Sequence, residues 1–182
     1  MTIKELQEKL YEFIKPAYPD IKIKVIDTPE SCRQIYFVDE RFKDLFVQQR
    51  YHYLVHLIPG EFFKEELSEC TWFELAASEN PDDLIYLDEG SVEEIKDIIL
   101  AVLKDKVDFV KKLDVLFCSE STKCFGDFRH SKKILRQLDF SDEEQFDIFH
   151  VLMHEGGYCD CEILYNVFRE SEYAQKYGTR SS

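Results

Sequence analysis

The chain has 182 residues, enough for one sizeable core or two small ones. Hydrophobic residues make up 45% and aromatics 14%, which excludes a disordered chain, and no apolar run approaches the roughly 20 residues of a membrane span. A formal net charge of −14 repels phosphate backbones and anionic lipid, which argues against nucleic-acid and membrane partners.

The opening stretch, MTIKELQEKLYEFIK, is charged and amphipathic and has no secretory apolar region. The expected compartment is the cytoplasm, where thiols stay reduced, so the six cysteines read as buried thiols or metal ligands. Thr2 with Glu5 forms a capping box for a first helix, and Ile3, Leu6, Leu10, Phe13 and Ile14 fall on one face of it. Pro16 and Pro19 end it. IKIKVID (Ile21 to Asp27) alternates apolar and charged residues and predicts a half-buried strand. TPESC is a loop, and RQIYFVDE predicts a second strand. Arg41 to Ile58 switches to the helical period, and Pro59-Gly60 breaks it. EFFKEELSE adds a helical turn or two, CTWFELAA (Cys70 to Ala77) predicts a third strand, and SENPDD a turn.

After a short apolar piece, LIYLDEG (Leu84 to Gly90), Ser91 with Glu94 forms a second capping box. It predicts one long helix through Ile95, Ile98, Ile99, Val102, Leu103, Val110 and Leu113 that joins two halves. DVLFCSESTKCFGDFRH reads as a loop-rich passage holding Cys118, Cys124 and His130. SKKILRQLDF predicts a short helix, and Ser141 with Glu144 caps another that carries Phe146, Phe149, Val151, Leu152 and Met153. Gly156-Gly157 stops that helix, a last one runs from about Cys161 to Phe168, and YAQKYGTRSS reads as a frayed tail. The basic stretch RHSKKILRQ reads as a solvated helix face.

Three phrases in the first half resemble the BolA-like family: IKVIDTPES, FKDLFVQQRYHYLVHLI and WFELAASENPDDL, in a helix-strand-strand-helix-strand order. The resemblance implies an α+β fold over about Met1 to Asp88. Its R-H-R motif falls on Arg50, Tyr51 and His52, and its final-strand His-Ala-Leu on Phe73, Glu74 and Leu75. The histidine that the family offers to shared iron-sulfur sites is therefore missing, and cluster binding is not carried over. Asp44 stands where the family has glycine.

The second half carries GGYCDCEILYNV, from Gly156 to Val167. This resembles a bacterial domain family of unknown function (family 2695), marked by G-G-Y-C-D-C-E-[VIL]-L-x-N-V, and Cys124 matches its upstream cysteine. No activity comes with that resemblance.

Three readings compete for Cys159-Asp160-Cys161. Zinc takes four thiolate or imidazole ligands, and the candidates are Cys124, His130, His154, Cys159 and Cys161. A redox pair requires a reactive thiolate, which Glu155, Asp160 and Glu162 oppose. A packing corner requires only that Gly156-Gly157 bring two helices close, with Asp160 capping the last helix and Asn166 tying backbone across the junction. His52 and His56 are four apart but lack the Glu of a zincin motif, and Trp72-Phe73 reads as core strand. No Ser-His-Asp set, phosphate loop or dinucleotide fingerprint is present.

The expectation is an α+β chain: a BolA-like domain over 1–90, a connecting helix over 91–114 and a helical GGYCDCE module over 115–182. As function it favours a non-enzymatic interaction or regulatory protein with a protein partner. The alternatives are a zinc module and a thiol redox protein.

Overall fold

Thr2 opens the first helix as its sequence requires: its hydroxyl accepts from the Glu5 N–H, and Glu5 Oε2 accepts from the Thr2 N–H at 2.9 Å. The computed structural model describes residues 1–28, 33–84, 89–118 and 122–177. The chain is α+β. Its contacts divide it into two units, Met1–Tyr86 and Leu87–Ser182. The predicted loop over 28–32 and the apolar piece over 84–90 lie mostly outside the described residues.

In the first unit, helix α1 (Ile3–Ile14) buries Leu6, Leu10 and Ile14. Strands β1 (Lys22–Asp27) and β2 (Arg33–Val38) pair antiparallel, and β3 (Cys70–Leu75) joins β2 in parallel. A parallel neighbour needs a crossover, here supplied by the helical residues between β2 and β3. Ile23, Phe37 and Glu74 stand in one row of the sheet, and Val25, Ile35 and Trp72 in the row two residues along, on the same face. Tyr11, reaching from α1, accepts the Ile23 N–H with its hydroxyl at 2.8 Å. Trp72 packs as expected, its ring 5.0 Å from Phe37 and 5.6 Å from Phe63.

The helix expected over Arg41 to Ile58 is broken. Asp39 caps a short 3₁₀ turn over Glu40–Asp44, Leu45 and Phe46 are extended, and α2 spans Val47–Val55. The buried guanidinium of Arg50 explains the break. Its Nε donates to the Leu45 carbonyl at 3.0 Å, an acceptor that a continuous helix would have consumed internally. Its Nη1 donates to the Glu74 carbonyl, and the two Nη groups hold Glu79 as a fork. α3 (Gly60–Phe62) continues as a wide turn over Phe63–Leu67.

In the second unit, α4 (Glu89–Ala101) starts two residues before Ser91, so the predicted Ser91–Glu94 box does not open it. The predicted long helix also ends early. It widens over Val102–Lys106, breaks at Asp108 (φ 53°), and α5 (Phe109–Cys118) follows. Residues read as loop, Asp114 to Cys118, are therefore helical. Leu103 and Phe109 are both fully buried, yet on one continuous helix residues six apart would point about 120° away from each other. The break turns both inward.

α6 (Arg129–Gln137) and α7 (Asp142–His154) follow, the latter opened by the Ser141–Glu144 capping box. Phe128 stacks on Phe149 at 4.5 Å in the core of this unit. α8 (Asp160–Glu162) runs on through a wide turn over Ile163–Val167. The expected frayed tail contains one more helix, α9 (Glu172–Tyr177). Its first N–H groups, from Glu172 and Tyr173, are satisfied by the Asp114 carboxylate at 2.7 and 2.8 Å. Among the described residues no helix is long and apolar enough to cross a membrane.

Candidate metal centre

The corner that carries the paired cysteines is built from helix-stop chemistry. At the end of α7, Gly156 takes φ +88°, its N–H donates to the Met153 carbonyl, and the Gly157 N–H donates to the Leu152 carbonyl at 2.8 Å. This is the Schellman arrangement, which a glycine accommodates without strain. Gly157 is needed for a second reason: a Cβ there would come within 3.2 Å of the Ile163 Cα. Asn166 Nδ2 closes the corner by donating to the Gly156 carbonyl at 2.7 Å, as its position in the sequence suggested.

Cys159 is extended (φ −150°) at the head of α8, and Cys161 lies inside the helix. Their sulfurs are 3.4 Å apart, too far for a disulfide, and both are free thiols. Asp160, between them, does not cap its own helix as expected. Its carboxylate crosses to the start of α6 and accepts from the N–H groups of His130 and Ser131, each at 2.9 Å, and from Ser131 Oγ at 2.6 Å. The Asp160 N–H in turn donates to the Asp127 carbonyl at 3.0 Å. These four bonds fasten the Cys-Asp-Cys turn to the segment that precedes α6. That segment carries Cys124, whose sulfur receives the Gly126 N–H at 3.4 Å, with Gly126 at φ 76°.

The outcome is a three-sulfur cluster: the Sγ atoms of Cys124, Cys159 and Cys161 all lie within 4.8 Å of one another. Cys159 is buried and the other two are half-buried. Around zinc, sulfurs bound at ~2.3 Å stand about 3.8 Å apart in a tetrahedron, so this spacing fits one metal ion with little movement. The electrostatics favour one anionic sulfur in the set. Hydrogen bonds from the Cys159 and Cys161 thiols, helped by the Gly126 N–H, hold the Cys124 thiol well below its ordinary range. Cys159 is pushed up by donating to Cys124 and to Cys161 and by burial, and Cys161 chiefly by donating to Cys124. Burial raises the Asp160 carboxyl, opposed by the bonds from Ser131 and His130.

The two histidines named with these cysteines stand outside that group of three. His130 is close by in the chain: its backbone is held by Asp160 and its ring meets Phe117 edge-on at 5.7 Å. Its Nε2 is buried and has no hydrogen-bond partner among the described residues. His154, at the end of α7, instead faces carboxylates, with Nδ1 3.1 Å from Glu155 Oε1 and Nε2 3.5 Å from Glu93 Oε1. In the first unit, His52 and His56 lie ring against ring at 4.2 Å. Burial first, then the neighbouring His56, lowers His52 to about 4.

Asp160 as the fastener was missed in the sequence. The signal lay in the N–H groups at the start of α6: Asp127 accepts that of Arg129, which leaves those of His130 and Ser131 in need of an acceptor from elsewhere.

A helical unit with three clustered cysteines is thus what the fold and site define. Residues 118–166, which include Cys124, Cys159 and Cys161, match the model of a family described as protein of unknown function (DUF2695). That match does not reach the first unit. No curated protein and no solved structure matches the chain.

Proposed function

We propose that the second unit binds a zinc ion through Cys124, Cys159 and Cys161, and that the ion has a structural role in a non-enzymatic interaction protein. The observation that carries this reading is the convergence of three sulfurs, from two separate segments, to within 4.8 Å. His130 is the best source of a fourth ligand. Its buried Nε2 lacks a partner among the described residues, and its backbone is tied to Asp160, between two of the cysteines. Zinc would supply cross-linking free energy to a small core, on the order of 10 kcal/mol at neutral pH.

The test is elemental analysis of the purified full chain. One zinc per chain is expected, falling well below that in the Cys159→Ser, Cys161→Ser double variant. Substoichiometric metal in the parent, together with melting unchanged by chelator, overturns the reading.

The 3.4 Å contact between Cys159 and Cys161 supports a second reading, a thiol redox pair. A peroxide would take two electrons and two protons from the pair to form a disulfide, itself being reduced to water or alcohol. Intact-mass loss of two hydrogens under mild peroxide, in a metal-free parent, would favour it. For the first unit we read a BolA-like fold, supported by its helix-strand-strand-helix-strand order, and no iron-sulfur role, because Phe73 stands where the ligand histidine of that family falls.

A further inference from the structure

α4 and α7 leave an open groove between them. Along α4 and into the wide turn that continues it, Ile95, Ile98, Ile99 and Val102 recur at the i, i+3, i+4, i+7 spacing that helices use to pack. With the buried Leu103 beneath, this stripe lines a cavity of about 270 Å³, and Ile98 is 67% exposed. Ile148 on α7 supplies the facing wall. The cavity is smaller than the roughly 300–1,000 Å³ of small-molecule sites and suits a few inserted side chains.

Its charge selects the occupant. The charged residues lining the groove among those described are Glu144 and Asp147, both acidic, four and one residues before Ile148. Glu144 is held ionised by its bonds to Ser141. A second copy of a chain of net charge −14 would meet like charge here, as would an anionic membrane.

We propose that this groove is a docking site for an amphipathic helix of a partner protein, apolar on one face and flanked by Lys or Arg. Apolar side chains at helical spacing enter between α4 and α7, and the cationic flanks meet Glu144 and Asp147. The inference does not depend on zinc.

The test is fluorescence anisotropy on the full chain, with a labelled synthetic helix carrying Leu at i, i+3, i+4 and i+7 and Lys between. A scrambled peptide of the same composition is the control. Saturable binding is expected, weakened roughly tenfold or more for the scrambled peptide and for Ile98→Asp. Asp147→Lys should weaken it and flatten its salt dependence. Circular dichroism of both variants checks the fold. Equal binding by the scrambled peptide, or no effect of Ile98→Asp in a folded protein, overturns the proposal. So does a parent dimer that Ile98→Asp converts to monomer, since the occupant is then a second copy.

Discussion

Glu74 is a carboxylate enclosed within the sheet. It sits on β3 opposite Phe37, 2% exposed, and its Oε1 has no hydrogen-bond partner among the described residues. Burial raises its carboxyl to about 7, against the nearby Arg50 cation, which is committed to Glu79. The folded value lies above the unfolded one. The stability Glu74 contributes is therefore fully present below the ordinary carboxylate range and is lost as pH rises through about 7. A shift of this size corresponds to a penalty on the order of 3 kcal/mol in alkaline solution. Glu74→Gln should then be more stable than the parent at pH 8 and lose that advantage at pH 5, as urea unfolding at the two pH values would show. A parent whose stability is flat between them would contradict the assignment. At this scale the sequence placed Glu74 in a strand, but did not show that it is enclosed: strand periodicity gives a face, not its neighbours.

Helix ends show where local chemistry decides and where it does not. The Thr2–Glu5 and Ser141–Glu144 boxes form because their bonds are satisfied within one turn. Gly156-Gly157 stops α7 for the same local reason. Gly156→Ala should cost about 1–2 kcal/mol for its left-handed backbone, measurable by denaturant unfolding. Gly157→Ala should also destabilise, because its Cβ would press on Ile163 Cγ1 and Val167 Cγ2 at 3.1 Å and on the Ile163 Cα at 3.2 Å at once. A Gly157→Ala protein as stable as the parent would mean that the corner is looser than drawn. The breaks at Leu45-Phe46 and Asp108 carry no such mark. No proline or glycine sits there, and the apolar period reads straight through. One break frees a carbonyl for the buried Arg50, and the other turns Phe109 inward with Leu103. Both causes lie in the packing.

At the scale of the whole molecule, the two units set the reach of the zinc proposal. Cys124, Cys159 and Cys161 all lie within the second unit. Hydrogen exchange on the full chain should show zinc protecting amides near 124–131 and 156–167, while the strands Lys22–Asp27 and Cys70–Leu75 exchange as before. Equal protection of both units would point to metal binding elsewhere.

By itself the sequence determined the α+β class, most helix and strand positions, the glycine corner and the proximity of Cys159 to Cys161. These depend on periodicity and on bonds between residues a few positions apart. Only the tertiary structure decided that Cys124 meets that corner. It did so through the Asp160 carboxylate, which satisfies N–H groups some thirty residues away in the chain at the head of α6. A buried carboxylate takes the donors that space brings to it, and spacing along the chain cannot say which those will be.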